Sequence, residues 1–407
     1  MKVLLAPFGT RGDCQPLLHL GVRLASEGHD VLVAGPPNFL DDAEGLGLDY
    51  RAFGPDIQRF LADAIRGGGI GLVSEIKVFI ELFRELCAVS VTLLSELAEG
   101  RDLLIASGVQ IGGRTAAHAA GTAYRYVLFC PQLLVSPEHA PPLGSIADGG
   151  ALLNRGLWGA YRAAVRRFIQ PFMDDARRAA GLRPLPDPWD YLVVPGEGVM
   201  ACDPEVFTGP GGWEAEPVGA FRLAPEGALD EDLEAFLGAG PPPVYLGFGS
   251  MPHPDPADST RKVVDAVERS GVRLVLSAGW AQLGDGDLPD AVFRVGPCAH
   301  HLLFPRCAGV VHHGGAGTLA TALRAGVPQG VVAHVADQHY NGWRLEAVGL
   351  APRRLSARTV SGPALARLLA SLSDPLLTER ARQVGERVRA RDSLANGVRA
   401  VTEVVAG

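Results

Sequence analysis

Short apolar runs alternate with stretches of helical period along the whole chain. In the first half, these runs have the length of buried parallel strands and are bounded by turn residues. They cover residues 3–7, 31–34, 103–106 and 126–129. Between them, residues 16–28 and the stripe 76–86 repeat apolar side chains at the spacing of one helix face. This alternation predicts a mostly parallel sheet with helices on its faces.

The same alternation resumes in the second half of the chain. The strand candidates there cover residues 244–248, 273–277, 292–295, 309–312 and 330–333. A helix is predicted over residues 315–325, and Asp374 followed by Pro375 marks the start of another. The chain is therefore expected to form two α/β halves, each with a mostly parallel sheet.

A segment rich in Gly and Pro separates the two halves. Residues 208–243 lack clear periodicity apart from a short helix predicted near 230–237. We predict an N-terminal domain over residues 1–215, a linker over 216–242 and a C-terminal domain over 243–390. Residues 391–407 are predicted as a helix that packs back on the N-terminal domain. A length of 407 residues agrees with two cores rather than one.

Composition narrows the classes of protein. With a net charge of −8, the chain lacks the excess of Lys and Arg that is typical of nucleic-acid-binding proteins. No apolar stretch reaches the ~18 residues of a membrane span, and the apolar run after Met1 is too short for a signal peptide. The six cysteines show no C-x-x-C pair. This argues against a zinc site or a disulfide framework and favours a cytoplasmic protein.

The first candidate site follows the first predicted strand. Gly9 and Gly12 permit a tight turn and a close approach of a ligand to the backbone. They place the carboxylate of Asp13 beyond the carboxyl end of the strand, where open parallel sheets bind ligands. Asp13 is a candidate general base. The alternative interpretation is that Asp13 is only a helix N-cap.

The strongest motif follows the predicted strand 309–312. Two histidines, His312 and His313, precede a Gly-rich turn and a helix start that runs to Thr318. Free N–H groups and the helix dipole at such a start suit a diphosphate, and a histidine can add another N–H donor. A further Gly-rich turn after the strand 244–248 places Ser250 where its hydroxyl can reach a phosphate oxygen.

A third candidate site follows the strand 330–333. Asp337 and Gln338 combine a carboxylate with an amide, which suits the paired donors and acceptors of vicinal hydroxyls. Asp337 is also a candidate helix cap. A rival interpretation is an NAD-dependent oxidoreductase, because residues 315–320 fit G-x-G-x-x-G/A and an acid follows. That fingerprint belongs after the first strand of its domain, so this interpretation ranks second.

In the order and spacing of its motifs, the chain resembles family 1 glycosyltransferases of the GT-B fold, which has two Rossmann-like domains. The motifs that carry this resemblance are residues 9–13, 249–250, 277–280, 312–318 and 337–338. The similarity is greatest to bacterial vancomycin-type glycopeptide glycosyltransferases and to sterol glucosyltransferases. It implies inverting, metal-independent transfer from a UDP- or dTDP-sugar, with no cofactor. It also implies that the N-terminal half binds the acceptor, that the C-terminal half binds the donor and that Asp13 is the base.

The resemblance also assigns the donor contacts. The diphosphate contacts are Ser250, His312, Gly315, Ala316, Gly317 and Thr318. The resemblance implies that Asp337 and Gln338 bind the donor sugar. It also implies that the nucleoside is bound by Trp280, Cys298 and His300. Plant members have a His–Asp dyad where this chain has Asp13 and, near the fourth strand, Ser107. The orientation of a lone carboxylate is therefore unexplained at this point.

The acceptor is expected to be a small, partly hydrophobic natural product or lipid. Its pocket is predicted between apolar segments 53–97 and 133–172, with weaker cleft candidates Thr10, Arg11, Gly12, Phe79 and Phe83. Core packing is the competing interpretation of the apolar positions. The same turns would also serve a nucleotide-sugar epimerase of similar fold or a non-catalytic binding module. The chain is expected to be a monomer or a homodimer.

Overall fold

The computed structural model describes two compact units. It covers residues 1–60, 72–142, 144–192, 196–211, 213, 216–223, 227–249, 255–279 and 283–406, with 72–79, 88, 192 and 404–406 described by their backbone alone. Unit 1 comprises Met1–Pro141, Asp148–Leu223 and Asp392–Gly407. Unit 2 comprises Pro142–Ala147 and Ala224–Arg391. None of the helices in these ranges is long and apolar enough to cross a membrane.

Strands and helices alternate through both units. The strands are β1 Lys2–Phe8, β2 Asp30–Gly35, β3 Asp49–Ala52, β4 Leu103–Gly108, β5 Ala123–Leu128, β6 Gly198–Met200, β7 Val244–Gly247, β8 Leu274–Ser277, β9 Val292–Val295, β10 Gly309–His312, β11 Gln329–Ala333 and β12 Leu355–Ser356. The helices are α1 Arg11–Ser26, α2 Leu40–Gly45, α3 Leu72–Ala98, α4 Gly113–Ala120, α5 Ala151–Phe168, α6 Gln170–Ala179, α7 Pro188–Leu192, α8 Glu231–Gly238, α9 Pro256–Ser270, α10 His300–Leu303, α11 Ala316–Ala325, α12 Gln338–Ala347, α13 Gly362–Ser371, α14 Pro375–Ala390 and α15 Ser393–Ala406. Short 3-10 helices cover Pro37–Phe39, Pro131–Leu133 and Phe304–Arg306.

Each unit contains one six-stranded parallel sheet, and the two sheets share a topology. The orders are β3-β2-β1-β4-β5-β6 in unit 1 and β12-β11-β10-β7-β8-β9 in unit 2. In unit 1 this is the Rossmann order, in which ligands bind where the strand order reverses. That reversal lies between β1 and β4, and its counterpart in the second sheet lies between β7 and β10. The predicted fold class is confirmed.

The central strands are apolar because helices cover both faces of each sheet. Every residue of β1 after Lys2 is buried. In unit 1, the core joins β1, β2 and β4 to helices α1 and α15, to which α15 contributes Leu394, Val398 and Val401. The final helix thus buries its apolar face in the unit that contains the start of the chain. In unit 2, helices α9 and α13 pack on β7, β8 and β10.

The structure differs from the predicted elements mainly at sheet edges. Strands β3, β6 and β12 were not predicted, because they are short and an edge strand needs no continuous apolar run. Helix α1 begins at Arg11 rather than at Pro16, so the predicted start is wrong by more than one turn. A cap formed by Thr10 and Asp13, described below, starts the helix earlier.

The segment predicted as a linker spans the boundary between the units. That boundary falls between Leu223 and Ala224. The short helix predicted near 230–237 is α8, and Asp230 caps it by accepting a hydrogen bond from the backbone N–H of Asp232 at 3.0 Å. The parts of this segment on either side of the boundary therefore belong to different compact units.

Candidate active site

Asp13 lies in the first turn of helix α1, immediately beyond β1. Thr10 is the N-cap, and both its backbone N–H and its hydroxyl donate to Oδ2 of Asp13, at 2.8 and 3.0 Å. Asp13 is thus the acid of a capping box rather than the N-cap itself. The described part of the chain provides no hydrogen bond to Oδ1. The cap consequently fixes one carboxylate oxygen and leaves the other for a ligand.

Two glycines make room for the Asp13 side chain. Gly9 has φ +141°, and a Cβ built there would lie 2.4 Å from Oδ2 of Asp13. Gly108, at the end of β4, has φ +68°, and a Cβ there would lie 2.8 Å from Cβ of Asp13. Ser107 donates its hydroxyl to the backbone oxygen of Asp13 at 2.8 Å. Ser107, which stands where plant members have the Asp of the dyad, therefore contacts the backbone of Asp13. The carboxylate of Asp13 is oriented by Thr10 instead.

The environment of Asp13 favours the protonated carboxyl group more than water does. Burial raises the pKa of Asp13 from 3.8 to about 6, and the two hydrogen bonds from Thr10 oppose this rise. The side chain nevertheless keeps partial exposure. A carboxylate with a pKa near 6 is ionised at neutral pH and is a stronger base than an exposed aspartate.

Replacing Thr10 by Val is expected to shift the acidic limb of the kcat/KM profile to higher pH. The hydroxyl bond of Thr10 stabilises the ionised form of Asp13, so its loss raises the pKa of that carboxyl group further. Thr10→Ser keeps the hydroxyl and is the matched control. Profiles measured from about pH 5 to about pH 9, a range that brackets the pKa of about 6, test this. An unchanged limb in Thr10→Val would contradict the role of the hydroxyl.

In unit 2, the turn between β10 and α11 consists of His313 and two glycines. Gly314 has φ +95°, and a Cβ built there would lie 2.8 Å from the backbone oxygen of Gln338. Gly315 is the N-cap, and α11 begins at Ala316. The first N–H groups of a helix have no partner within it. The start of α11 at Ala316 therefore suits an anion.

His312 stabilises this turn through a hydrogen bond to its backbone. It is fully buried at the end of β10. Its Nδ1 accepts the N–H of Gly314 at 3.1 Å, and its Nε2 lies 2.9 Å from Oε1 of Gln329. This pairing places the ring proton on Nε2, where it is donated to Gln329. Both ring nitrogens of His312 are therefore engaged within the protein, and its contact with a diphosphate stays a prediction.

His313 lies closer to the neighbouring turn. A Cβ built on Gly249, just after β7, would lie 3.2 Å from Cε1 of His313. A Cβ built on Gly315 would lie 2.2 Å from Nε2. The ring thus lies between the turn after β7 and the turn after β10, where glycines leave space for it. These are the two strands between which the strand order of the sheet reverses. No role was predicted for His313 from the sequence.

The loop after β11 carries the predicted sugar-binding pair. Ala336 has φ +50°, which is strained for a residue with a Cβ, and it precedes Asp337 directly. Oε1 of Gln338 accepts the backbone N–H groups of His334 and Val335 at 2.9 and 3.2 Å. Gln338 thus holds the loop in shape with its amide oxygen.

Asn341 joins this loop to the turn after β10. Its Nδ2 donates to the backbone oxygen of Gly314 at 2.8 Å and to Oδ2 of Asp337 at 3.2 Å. The residue is fully buried in α12. Asn341 was not predicted from the sequence, where its place one helical turn after Asp337 is the signal that could have indicated it.

The other predicted site residues fall into three groups. Of the residues predicted to bind the nucleoside, His300 stacks its ring on Phe304, and its Nε2 lies 2.9 Å from the Tyr245 hydroxyl. Cys298 follows β9 and is partly exposed. Arg11 is exposed and pairs with Asp42 at 3.2 Å, while Gly12 is partly exposed. Phe83 packs beside an apolar cluster of unit 1. Ser250, Trp280 and the side chain of Phe79 lie outside the described residues.

Two Rossmann-like sheets with these turns define the GT-B class of fold. The glycosyltransferase VinC, solved in complex with dTDP, superposes with a TM-score of 0.71 at 22% identity, covering 100% of both chains. A family model for the erythromycin biosynthesis protein CIII-like C-terminal domain matches residues 262–404.

Curated relatives identify the family. Glycosyltransferase GtfE of Amycolatopsis orientalis is 35% identical over 356 residues, covering 86% of this chain and 85% of the relative. The vancomycin aglycone glucosyltransferase of the same organism is 33% identical over 369 residues, with the same coverage. The chain belongs to this family of glycosyltransferases. The oxidoreductase interpretation is not supported, and the Gly-rich turn it relied on follows the fourth strand of its unit.

Proposed function

We propose that this protein transfers a sugar from a dTDP- or UDP-sugar to a hydroxyl or other nucleophile of a small, partly hydrophobic acceptor, with inversion at the anomeric carbon. The observation that carries the proposal is Asp13, whose Oδ2 is fixed by two bonds from Thr10 and whose pKa is raised to about 6. A base of this kind suits the proton transfer that accompanies attack by a hydroxyl. The dTDP-bound VinC supports a thymidine nucleotide as donor.

In this proposal, unit 1 supplies the base. Oδ1 of Asp13 accepts the acceptor proton while the acceptor oxygen forms its bond to the anomeric carbon. The bond from that carbon to the diphosphate breaks in the same step, and its electron pair leaves with the nucleoside diphosphate. A single displacement of this kind inverts the anomeric centre.

Unit 2 stabilises the leaving group in the same scheme. We assign the start of α11 to the negative charge that grows on the departing diphosphate, with Thr318 and Ser250 as the proposed hydroxyl donors. One well-placed donor of this type contributes ~3–4 kcal/mol to the transition state. Asp337 and Gln338 hold the donor sugar, and Asn341 keeps Asp337 in register with the Gly314 turn.

The proposed reaction uses no divalent cation. The D-x-D spacing at Asp285–Asp287 belongs to an exposed loop, and Asp285 pairs with Arg294 at 2.7 Å. In this proposal, the positive end of the α11 dipole and neutral hydrogen-bond donors stabilise the charge of the diphosphate instead. Full activity in the presence of EDTA is the expected result.

Unit 1 supplies the apolar surface for the acceptor. Helices α3, α5, α6 and α7 share an apolar cluster whose members Trp158, Met173 and Trp189 are buried, and the partly buried Phe83 packs against it. The vancomycin aglycone glucosyltransferase among the relatives is named for an aglycone acceptor. Core packing accounts for the buried members, so Phe83 and other partly buried apolar side chains at the edge of the cluster are the ones proposed to contact a bulky acceptor with aromatic or aliphatic surface.

Saturating dTDP or UDP is expected to raise the melting temperature of the protein. A ligand at about 100 times its Kd adds ~2.7 kcal/mol to the free energy of unfolding. Thermal shifts with dTDP, UDP and ADP measure this, with ADP as the control. Slow hydrolysis of a dTDP-sugar without acceptor would agree with a transferase, and epimerisation would favour the epimerase. The absence of any shift with both pyrimidine nucleotides would contradict the proposed donor.

A further inference from the structure

The phenol of Tyr126 contacts the backbone of the turn that borders Asp13. Tyr126 lies in β5 and is buried, and its hydroxyl donates a hydrogen bond to the backbone oxygen of Gly108. In the parallel pairing of β4 with β5, Tyr126 lies opposite Ala106, two residues before Gly108. The side chain therefore extends along β4 and binds the carbonyl group with which that strand ends.

Gly108 is held from both neighbouring strands, because β4 lies between β1 and β5 in the sheet. On the β1 side, a Cβ built on Gly108 would clash with the backbone oxygen of Phe8. The same oxygen of Phe8 accepts the N–H of Val109 at 2.8 Å. On the β5 side, Gly108 is held by the hydroxyl of Tyr126.

Gly108 in turn packs against the side chain of Asp13. A Cβ built on Gly108 would lie 2.8 Å from Cβ and 3.1 Å from Cγ of Asp13. This contact keeps water from one side of the carboxyl group. Burial is the largest cause of the rise in the pKa of Asp13 to about 6, so the position of Gly108 contributes to that rise.

Tyr126 acts on this carboxyl group as a neutral residue. Among the described residues, Cys14 on α1 and Tyr126 on β5 interact electrostatically with Asp13. Burial raises the pKa of the thiol and of the phenol, so both are uncharged at neutral pH. Arg11, on the first turn of α1, is exposed and pairs with Asp42. The influence of Tyr126 is therefore exerted through the position of Gly108 rather than through charge.

We propose that Tyr126 is a positioning residue for the transfer reaction, because its hydroxyl holds Gly108 against Asp13 and so limits the access of water to the base. This inference rests on the proposed function, in which Asp13 accepts the acceptor proton. Tyr126 itself does not touch the reacting atoms. Its hydroxyl opposes that of Thr10: Thr10 stabilises the ionised carboxylate, whereas Tyr126 maintains the contact that disfavours it.

Tyr126→Phe is expected to move the acidic limb of the kcat/KM profile about 1 unit to lower pH. The ring remains, but Gly108 loses its donor, so water reaches Asp13 and its pKa falls toward 3.8. This shift is opposite in sign to that of Thr10→Val. A roughly 10-fold lower kcat is expected as well, because a catalytic group misplaced by about 1 Å can cost about 100-fold. Hydrolysis of dTDP-glucose, with water in place of the acceptor, from about pH 4 to about pH 8 measures both effects.

Tyr124→Phe is the matched control. Tyr124 is buried in the same strand and on the same face of the sheet, but it lies opposite Leu104, four residues before Gly108. Removing its hydroxyl should leave the acidic limb in place. Calorimetry with dTDP should give wild-type affinity for both variants, since the proposed donor contacts lie in unit 2. A wild-type limb in Tyr126→Phe, or the same shift in Tyr124→Phe, would overturn the proposal.

Tyr126→4-aminophenylalanine tests the hydrogen bond without removing the donor. Its neutral amine can donate an N–H to Gly108 from nearly the same position, so the acidic limb should return to that of the wild type. This variant keeps the contact with Gly108 and remains informative even where Tyr126→Phe does not fold. An acidic limb displaced to lower pH although the donor is present would count against the assignment.

Combining Tyr126→Phe with Asp13→Asn shows whether the two residues act together. If Tyr126 acts through Asp13, its replacement should change kcat little once the carboxylate is gone. A further loss of about 10-fold in the double variant would place the effect of Tyr126 elsewhere and overturn the inference. Wild-type turnover in Asp13→Asn, or a wild-type protein that turns over neither dTDP-glucose nor UDP-glucose, would instead contradict the proposed function, and both results are distinct from every outcome for Tyr126.

Discussion

Asp13→Asn is expected to lower kcat at least ~100-fold, the lower range for loss of a general base. Asn keeps an oxygen that can accept the Thr10 N–H, so the capping box survives, but it cannot take a proton from the acceptor. The affinity for dTDP, whose proposed contacts all lie in unit 2, should not change. Steady-state kinetics at about pH 8, where the Asp13 carboxyl group is ionised, together with calorimetry, separate these two effects.

The stability of Asp13→Asn provides its control. The folded state binds a proton at Asp13 more tightly than the unfolded chain does, because the pKa rises from 3.8 to about 6. The wild-type protein therefore loses stability as pH rises from about 4 to about 6, and the ionised form remains unfavourable above that range. The variant should melt at or above the wild-type temperature at about pH 8. Turnover within a few-fold of wild type would remove Asp13 from the mechanism.

Gly314→Ala is expected to weaken dTDP binding at least ~10-fold, a loss of about 1.4 kcal/mol. A positive φ for Ala costs ~1–2 kcal/mol, and overpacking costs ~1–3 kcal/mol more. The added Cβ would meet the backbone oxygen of Gln338 at 2.8 Å, so it cannot be accommodated by a side-chain rotation. Either the turn before α11 or the start of α12 must move, and the bond from Asn341 to Gly314 would stretch.

Gly271→Ala is the matched control for this variant. Gly271 ends α9 in the same unit with φ +67°, and a Cβ built there meets nothing within 4 Å. It therefore reproduces the conformational strain without the clash. Both variants should melt earlier than wild type, but only Gly314→Ala should lose dTDP affinity in calorimetry. Equal affinities in the two variants would show that the turn does not bind the diphosphate.

The predicted elements were most accurate where the chain is buried on both sides. Strands β1, β4, β7 and β10 are central and apolar, so their sequence alone identified them. The edge strands β3 and β12 have exposed or half-buried positions and gave no comparable signal. The start of α1 was misplaced because Pro16 was interpreted as a first-turn residue, although it lies inside the helix.

Candidate residues were predicted best where a motif is local. The turn at residues 312–318 and the acid at Asp13 follow directly from glycines next to strand ends. The partners of these residues are distant in sequence and were not predicted. Gln329 contacts His312 across β10 and β11, Gly108 borders Asp13 from β4, and Asn341 reaches Gly314 from α12. Such contacts depend on strand order, which a pattern of apolar positions does not specify.

By itself, the sequence determined that this chain forms two parallel α/β sheets and that chemistry-bearing turns follow particular strands, because hydrophobic period and glycine placement are local properties. Only the tertiary structure decided which atoms these turns present. Thr10 fixes one oxygen of Asp13, and His312 is closed off by Gln329 while His313 lies beside Gly315. The reason is physical: hydrogen-bond partners and desolvation are set by neighbours that only the packed sheet brings together.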